Sequence, residues 1–218
     1  MIENSKEKKK FLESLKFPFL FLFIIISIEI IGYIFNVNFI SLGILPRKAF
    51  GLIGVFTAPL IHSNIEHLYS NAIPLFVLGT SIFYFYPNSS KRVALIIYFL
   101  TNSLVWVLAR ESFHIGASGI VYGLFSFLFF SGIFRKDKRA ITLSVLTIFI
   151  YGGMTYGIFP TKEGISWESH LFGFITGIFT AYIFRKNDIF KQYEWEDEEL
   201  DVDIRELKIS HNSKNNEK

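Results

Sequence analysis

The chain has 218 residues, 51% of them hydrophobic and 26 of them phenylalanine, with a mean hydropathy of +0.39, an excess that excludes an ordinary soluble domain. It contains no cysteine, which excludes disulfides, thiol catalysis and cysteine-held metals. The net charge of +3 decides little as a total, and no nucleic-acid partner is expected.

Residues 1–16 read as a short charged tail whose Lys6-Glu7-Lys8-Lys9-Lys10 imitates the start of a signal peptide. The apolar stretch behind it is too long for that, and no small-residue cleavage site follows, so 17–35 reads as a retained first span. Apolar runs of about 20 residues cross the roughly 30 Å hydrocarbon core of a bilayer. Five more follow at 67–84, 93–109, 118–134, 140–158 and 170–184, which predicts an all-α membrane protein with a six-transmembrane-helix bundle. The loop 36–66 is too apolar for a solvated linker, and its Leu45-Pro46-Arg47-Lys48 and 50–60 stretches read as interfacial. Stretches 86–92 and 135–139 read as tight turns, and 159–169, with Pro160 and Gly164, as a loop able to move. From 187 to 218 the chain is polar and acidic (Glu194, Glu196, Asp197, Glu198, Glu199), a tail with no catalytic role expected. The predicted membrane domain is therefore 17–186.

Lys6, Lys8, Lys9, Lys10, Lys16, Lys91, Arg92, Arg135, Lys136, Lys138, Arg139, Arg185 and Lys186 fall on one side of these spans, against Arg47, Lys48, Arg110 and Lys162 on the other. Because basic residues stay cytoplasmic, both termini are expected inside, in a multi-pass protein of a prokaryotic plasma membrane. The second, fourth and sixth spans then run from outside to inside. Their polar residues, His67 with Asn71, Ser118, and His170, share one depth just below the outer surface. Polar groups at membrane depth are costly and face a bundle interior or a wet cavity.

His67 and Asn71 lie four apart on one helix face, as do Ser118 and Tyr122. Gly119 with Gly123, and Gly173 with Gly177, are small-residue pairs that let the fourth and sixth spans approach closely. That approach predicts Ser118 within reach of His170, a serine nucleophile beside its base. The forming oxyanion needs donors, and the unpartnered first-turn N–H groups at Ser118 supply them, with Gly116 giving room and His67 and Asn71 adding side chains. Tyr122 reads either as plain packing or as the ring that orients His170. Glu66 and Glu168 read as interfacial, so a dyad is expected rather than a triad. Glu29 within the first span is expected to bond a bundle partner, and Pro74 to kink or loosen the second span.

Three stretches, 62–71 (His62-Ser63-Asn64-Ile65-Glu66-His67-Leu68-Tyr69-Ser70-Asn71), 116–123 (Gly116-Ala117-Ser118-Gly119-Ile120-Val121-Tyr122-Gly123) and 169–177 (Ser169 through Gly177), resemble in this order the rhomboid family of intramembrane serine proteases. The resemblance covers roughly 17–185. It implies Ser118 as nucleophile, His170 as general base, and His67, Asn71 and the Ser118 N–H as oxyanion stabilisers. It also implies cleavage of single-span membrane proteins near the outer face, with no cofactor and no metal, and a gate formed by the fifth span and the loop 159–169. The chain departs from the family pattern in having Phe50-Gly51-Leu52 where many members carry a Trp-Arg pair, and Ser169 where alanine is common.

Other readings of the same residues stand beside this one. A glycine-serine cluster alone is usually a packing site. His62 with His67 is a poor metal pair at i, i+5 spacing. His62 and His114 read as loop residues near the site. A client-binding relative without catalysis typically loses the serine or the histidine, and this chain keeps both. A proton pathway through His67, His170 and Glu29 predicts polar residues at every depth, whereas here they cluster at one.

Overall fold

A computed structural model describes residues 2–160 and 164–190, and the acidic stretch expected from 194 onward lies outside them. The first helix, α1 (Ile2–Phe35), is about 51 Å long at 1.5 Å per residue, well beyond a bilayer core. It begins far ahead of the expected span start at 17. Lys16 pairs with Glu13 at 2.6 Å on its surface, and Glu7 accepts a hydrogen bond from Tyr84 at 2.8 Å, which ties this segment to the next long helix.

Five further helices build the bundle: α3 (Ile65–Phe85), α4 (Ser90–Leu108), α5 (Ser118–Arg135), α6 (Lys138–Tyr151) and α7 (Trp167–Ile183), with the single turn α2 (Gly54–Thr57) in the loop before α3. Stops and starts are local chemistry. The Asn64 side chain caps α3 by accepting the His67 N–H at 2.8 Å, and Asp137 caps α6 by accepting that of Ala140 at 2.8 Å. α3 runs unbroken through Pro74.

Among the described residues, five helices are long and apolar enough to cross a membrane: Ser5–Phe35, Ile65–Phe85, Ser90–Leu108, Ser118–Arg135 and Lys138–Ile158. The sixth expected span, 170–184, falls on a helix shorter than these five. Residues 170–183 lie in α7, whose 17 residues extend about 25 Å, the short end of the range that spans a bilayer core. Glu168, Ser169, His170, Thr176 and Thr180 punctuate that helix because it is packed within the protein, and all five are buried.

α5 is the hub, with 72% of its apolar window buried against 11% for α1. α7 lies directly on it. A Cβ on Gly173 would strike the Gly119 carbonyl, and one on Gly177 would strike Ser126 and the Gly123 carbonyl, so these positions admit nothing larger than glycine. Ser126 Oγ seals the seam by donating to the Phe174 carbonyl at 2.8 Å.

The loop 36–64 is a folded cap. Gly51 and Gly54 turn inward against the backbone of residues 43–45, while Phe50, Leu52 and Phe56 face outward, as an interfacial segment should. No Trp-Arg pair follows Ala49, yet a tryptophan and an arginine from other positions anchor this cap. Trp106 Nε1 donates to the Lys48 carbonyl at 3.1 Å, and Arg47 donates to the Ala109 carbonyl at 2.6 Å. At the opposite, basic end, Asp188 accepts from Asn88 N–H, Ser89 N–H and the Ser89 hydroxyl, and Arg135 donates to the Phe184 carbonyl at 2.7 Å. Glu29 is half-buried and, among the described residues, makes no hydrogen bond or ion pair. The expected bundle partner is not found among the described residues, although α1 packs mainly on α3.

Candidate active site

Ser118 is the first residue of α5. The turn before it is set by Gly116, whose φ of +101° lies in the region that side chains avoid. A Cβ at Gly116 would also stand 2.7 Å from His67 Cε1 and Nε2, so glycine is required twice over. The turn is pinned from both sides. Gly116 N–H donates to the Ala58 carbonyl at 2.8 Å, and Ala117 N–H donates to His62 Nε2 at 3.4 Å. The N–H groups of Ser118 and Gly119 donate to no acceptor among the described residues, as expected of a first helical turn.

His67 lies in the first turn of α3. Ser63 Oγ stands 3.3 Å from its Nδ1, which puts the ring proton on Nε2 beside Gly116 when that hydroxyl donates. Asn71 is buried one turn on, its amide donating to the His67 carbonyl at 3.0 Å.

His170 sits in the first turn of α7, 9% exposed. Its Nδ1 donates to the Gly157 carbonyl at 2.8 Å, leaving Nε2 as the free acceptor. Its ring stacks on Tyr122, with centroids 4.2 Å apart and planes 8° apart, and the Tyr122 hydroxyl donates to the Met154 carbonyl at 2.7 Å. Both carbonyls belong to the 3-10 segment Gly152–Ile158 that continues α6. Gly157 cannot carry a side chain, because a Cβ there would run into the Tyr122 hydroxyl and come 3.2 Å from His170 Nδ1.

Ser118, His170, His67, Asn71 and Tyr122 line one cavity of about 1100 Å³, and Gly116 backs it behind His67. Thus the predicted site residues, drawn from three helices, are brought to one place. Among the described residues no hydrogen bond joins Ser118 Oγ to His170, and catalytic bonds are often long without substrate. The described residues contain no group of three or more histidine, aspartate or glutamate side chains placed to hold a metal.

His62 and His114 are more than neighbours of this cavity. His62 is buried against His67, with ring centroids 5.0 Å apart, and burial, with the neighbouring His67 adding to it, pushes its pKa down to about 3. A neutral imidazole is what the Ala117 N–H needs as acceptor. His114 is 2% exposed, and its burial likewise pushes its pKa below the ordinary value. Its Nε2 donates to the Arg110 carbonyl at 3.0 Å, while Nδ1 accepts from the Ser166 hydroxyl at 2.5 Å; Ser169 Oγ lies 2.6 Å from Ser166. Arg110 adds a bond to the Ile165 carbonyl at 2.8 Å and an ion pair with buried Glu168 at 3.4 Å. The loop 109–117 thereby fixes the start of α7 and, with it, His170. The Gly157 and Met154 carbonyls escaped the sequence, because backbone acceptors leave no trace in side-chain identity.

Comparison with known proteins adds an independent line. A family model, Rhomboid domain, matches residues 49–187. Uncharacterized proteins of Mycobacterium tuberculosis (strain ATCC 25618 / H37Rv) and Mycobacterium bovis (strain ATCC BAA-935 / AF2122/97) are 35% identical over 150 residues, 65% of this chain and 62% of theirs. One from Mycobacterium leprae (strain TN) is 31% identical over 172 residues, 75% of this chain and 68% of its own. The chain thus matches less than two thirds of the length of the first two relatives.

Proposed function

The chain belongs to the rhomboid family of intramembrane serine proteases, and on that premise we propose that it is a serine endopeptidase using a Ser118–His170 dyad. Its substrates in this reading are single-span membrane proteins, cut near the outer face of a prokaryotic plasma membrane, with both of its own termini cytoplasmic. Residues 17–186 form the catalytic unit, flanked by 1–16 and 187–218.

One observation carries the assignment. His170 is held by a backbone carbonyl at Nδ1 and by the Tyr122 ring beneath it, in the same cavity as a serine at a helix start. Nε2 then takes the Ser118 proton as Oγ attacks the scissile carbonyl. The oxyanion so formed accepts from Ser118 N–H, His67 Nε2–H and the Asn71 amide. The tetrahedral intermediate collapses as His170 gives its proton to the leaving amine, and an acyl-enzyme remains on Ser118. Water, deprotonated by the same Nε2, attacks that ester, and return of the proton to Oγ frees the carboxylate product. The Gly157 carbonyl fills the place a third carboxylate would take, because it orients the ring without a charge at membrane depth.

The test is fluorophosphonate labelling of the folded, detergent-solubilised protein. Wild type is expected to label, and Ser118→Ala and His170→Ala are not. Equal labelling of Ser118→Ala and wild type would remove Ser118 from the role. An unlabelled but folded wild type would favour client binding without catalysis.

A further inference from the structure

A second cavity, of about 220 Å³, lies away from the catalytic one, between α1, α3 and α4 with α5 behind it. Phe17 and Phe21 of α1, Phe83 of α3, Leu95 and Tyr98 of α4 and Leu124 of α5 line it. The Tyr98 hydroxyl is its single polar side-chain group, and that is engaged with the Phe56 carbonyl at 2.5 Å. Nothing in the lining is left to hold water. Apolar cavities of about 150 Å³ stay dry and take up apolar guests, and this one is larger.

The cavity meets the bilayer at its rim, where Phe17 is 47% and Leu95 54% exposed. Its shape follows how α1 is seated. Pro18 lies against Gly79, Phe17 stacks on Phe83 with centroids 4.9 Å apart, and Phe21 meets Tyr98 edge-on at 6.1 Å. These rings hold α1 off α4 and leave a slot along the helix axes. From Leu75 to Phe83 the α3 wall runs about 12 Å at 1.5 Å per residue.

Charge identifies the occupant. Lys91 precedes the lining residues Ala94 and Leu95 by three and four positions, so it shares their face of α4, one turn nearer the basic end. It is exposed and makes no hydrogen bond, ion pair or ring contact among the described residues. We propose that this slot binds one anionic phospholipid, an acyl chain between α1 and α4 and the phosphate on the Lys91 ammonium. The lipid supplies packing that α1 lacks, since only 11% of its apolar window is buried within the protein.

Native mass spectrometry of the full chain, released from detergent after addition of phosphatidylglycerol or phosphatidylcholine, tests this. Wild type is expected to retain one phosphatidylglycerol, about fivefold in preference to phosphatidylcholine, the worth of one lysine near an anionic headgroup. Lys91→Gln, a surface change that spares folding, is expected to bring that preference to parity. Ala94→Phe, shown to be folded by its circular dichroism melt, is expected to lose both lipids. Equal retention of the two lipids by wild type, an unchanged preference in Lys91→Gln, or undiminished lipid on folded Ala94→Phe would each overturn the proposal. So would a lipid-free dimer, which would give the slot to a second copy of the chain.

Discussion

At the scale of single residues, the site depends on groups that hold His170 as much as on His170 itself. Tyr122 offers a ring to stack and a hydroxyl to anchor, and the two are separable. Tyr122→Phe is expected to keep most of the labelling rate while losing about 1 kcal/mol of stability. Tyr122→Ala is expected to slow labelling at least about tenfold, because the imidazole loses the surface that fixes it. Gly157→Ala is a sharper probe, since the added methyl meets the Tyr122 hydroxyl and crowds His170 Nδ1. Its labelling rate is expected to fall far more than its melting temperature. A fall of both in proportion would mean that the 3-10 segment matters only to the fold. That Ser118, His170, His67 and Asn71 would come together was legible in the sequence, because each is a costly polar group in an apolar stretch, and they line one cavity. His62 was legible as a neighbour, while its role was not, since a bond to a backbone N–H depends on where the Gly116–Ala117 turn passes.

Between elements, the decisive contact is α5 on α7. The glycine pairs predicted close approach, and the structure shows how close, with the α7 glycines set against α5 carbonyls. Gly173→Ala and Gly177→Ala therefore force the helices apart. Overpacking of this kind costs about 1–3 kcal/mol, and both variants are expected to melt earlier and label more slowly, because separation moves Ser118 away from His170. An unchanged melt in detergent for either variant would show that the seam has slack. Length was less legible than contact. Hydropathy placed a sixth span at 170–184, and the helix there, α7, is 17 residues long with buried hydroxyls on one side and exposed Ile175, Phe179 and Tyr182 on the other.

For the whole molecule, stability should depend on pH through the buried histidines of the connecting loops. His62 and His114 are both held below the ordinary histidine value, His62 at about 3. An unfolded histidine protonates near pH 6.5, so between that value and about 3 the unfolded chain binds more protons than the folded one. The contribution of His62 is therefore complete above about pH 6.5 and is lost progressively as pH falls toward about 3. Melting temperature followed from pH 8 to pH 4 is expected to fall on the acid side. His62→Gln is expected to start lower at pH 8 and to fall less steeply, and parallel curves for the two proteins would assign the acid sensitivity elsewhere.

The sequence by itself determined that this chain is an all-helical membrane protein, which helices meet most closely, and which polar residues gather in one cavity. Those are consequences of composition and period, since a bilayer penalises every unburied polar group and a helix repeats its faces every three or four residues. Only the tertiary structure decided which backbone carbonyls orient His170 and Tyr122, how Trp106 and Arg47 anchor the loop 36–64, and that Glu29 stands without a partner among the described residues. Each of these depends on where two distant stretches of backbone come to rest. A carbonyl is the same group at every residue, so its role exists only once the helices have packed.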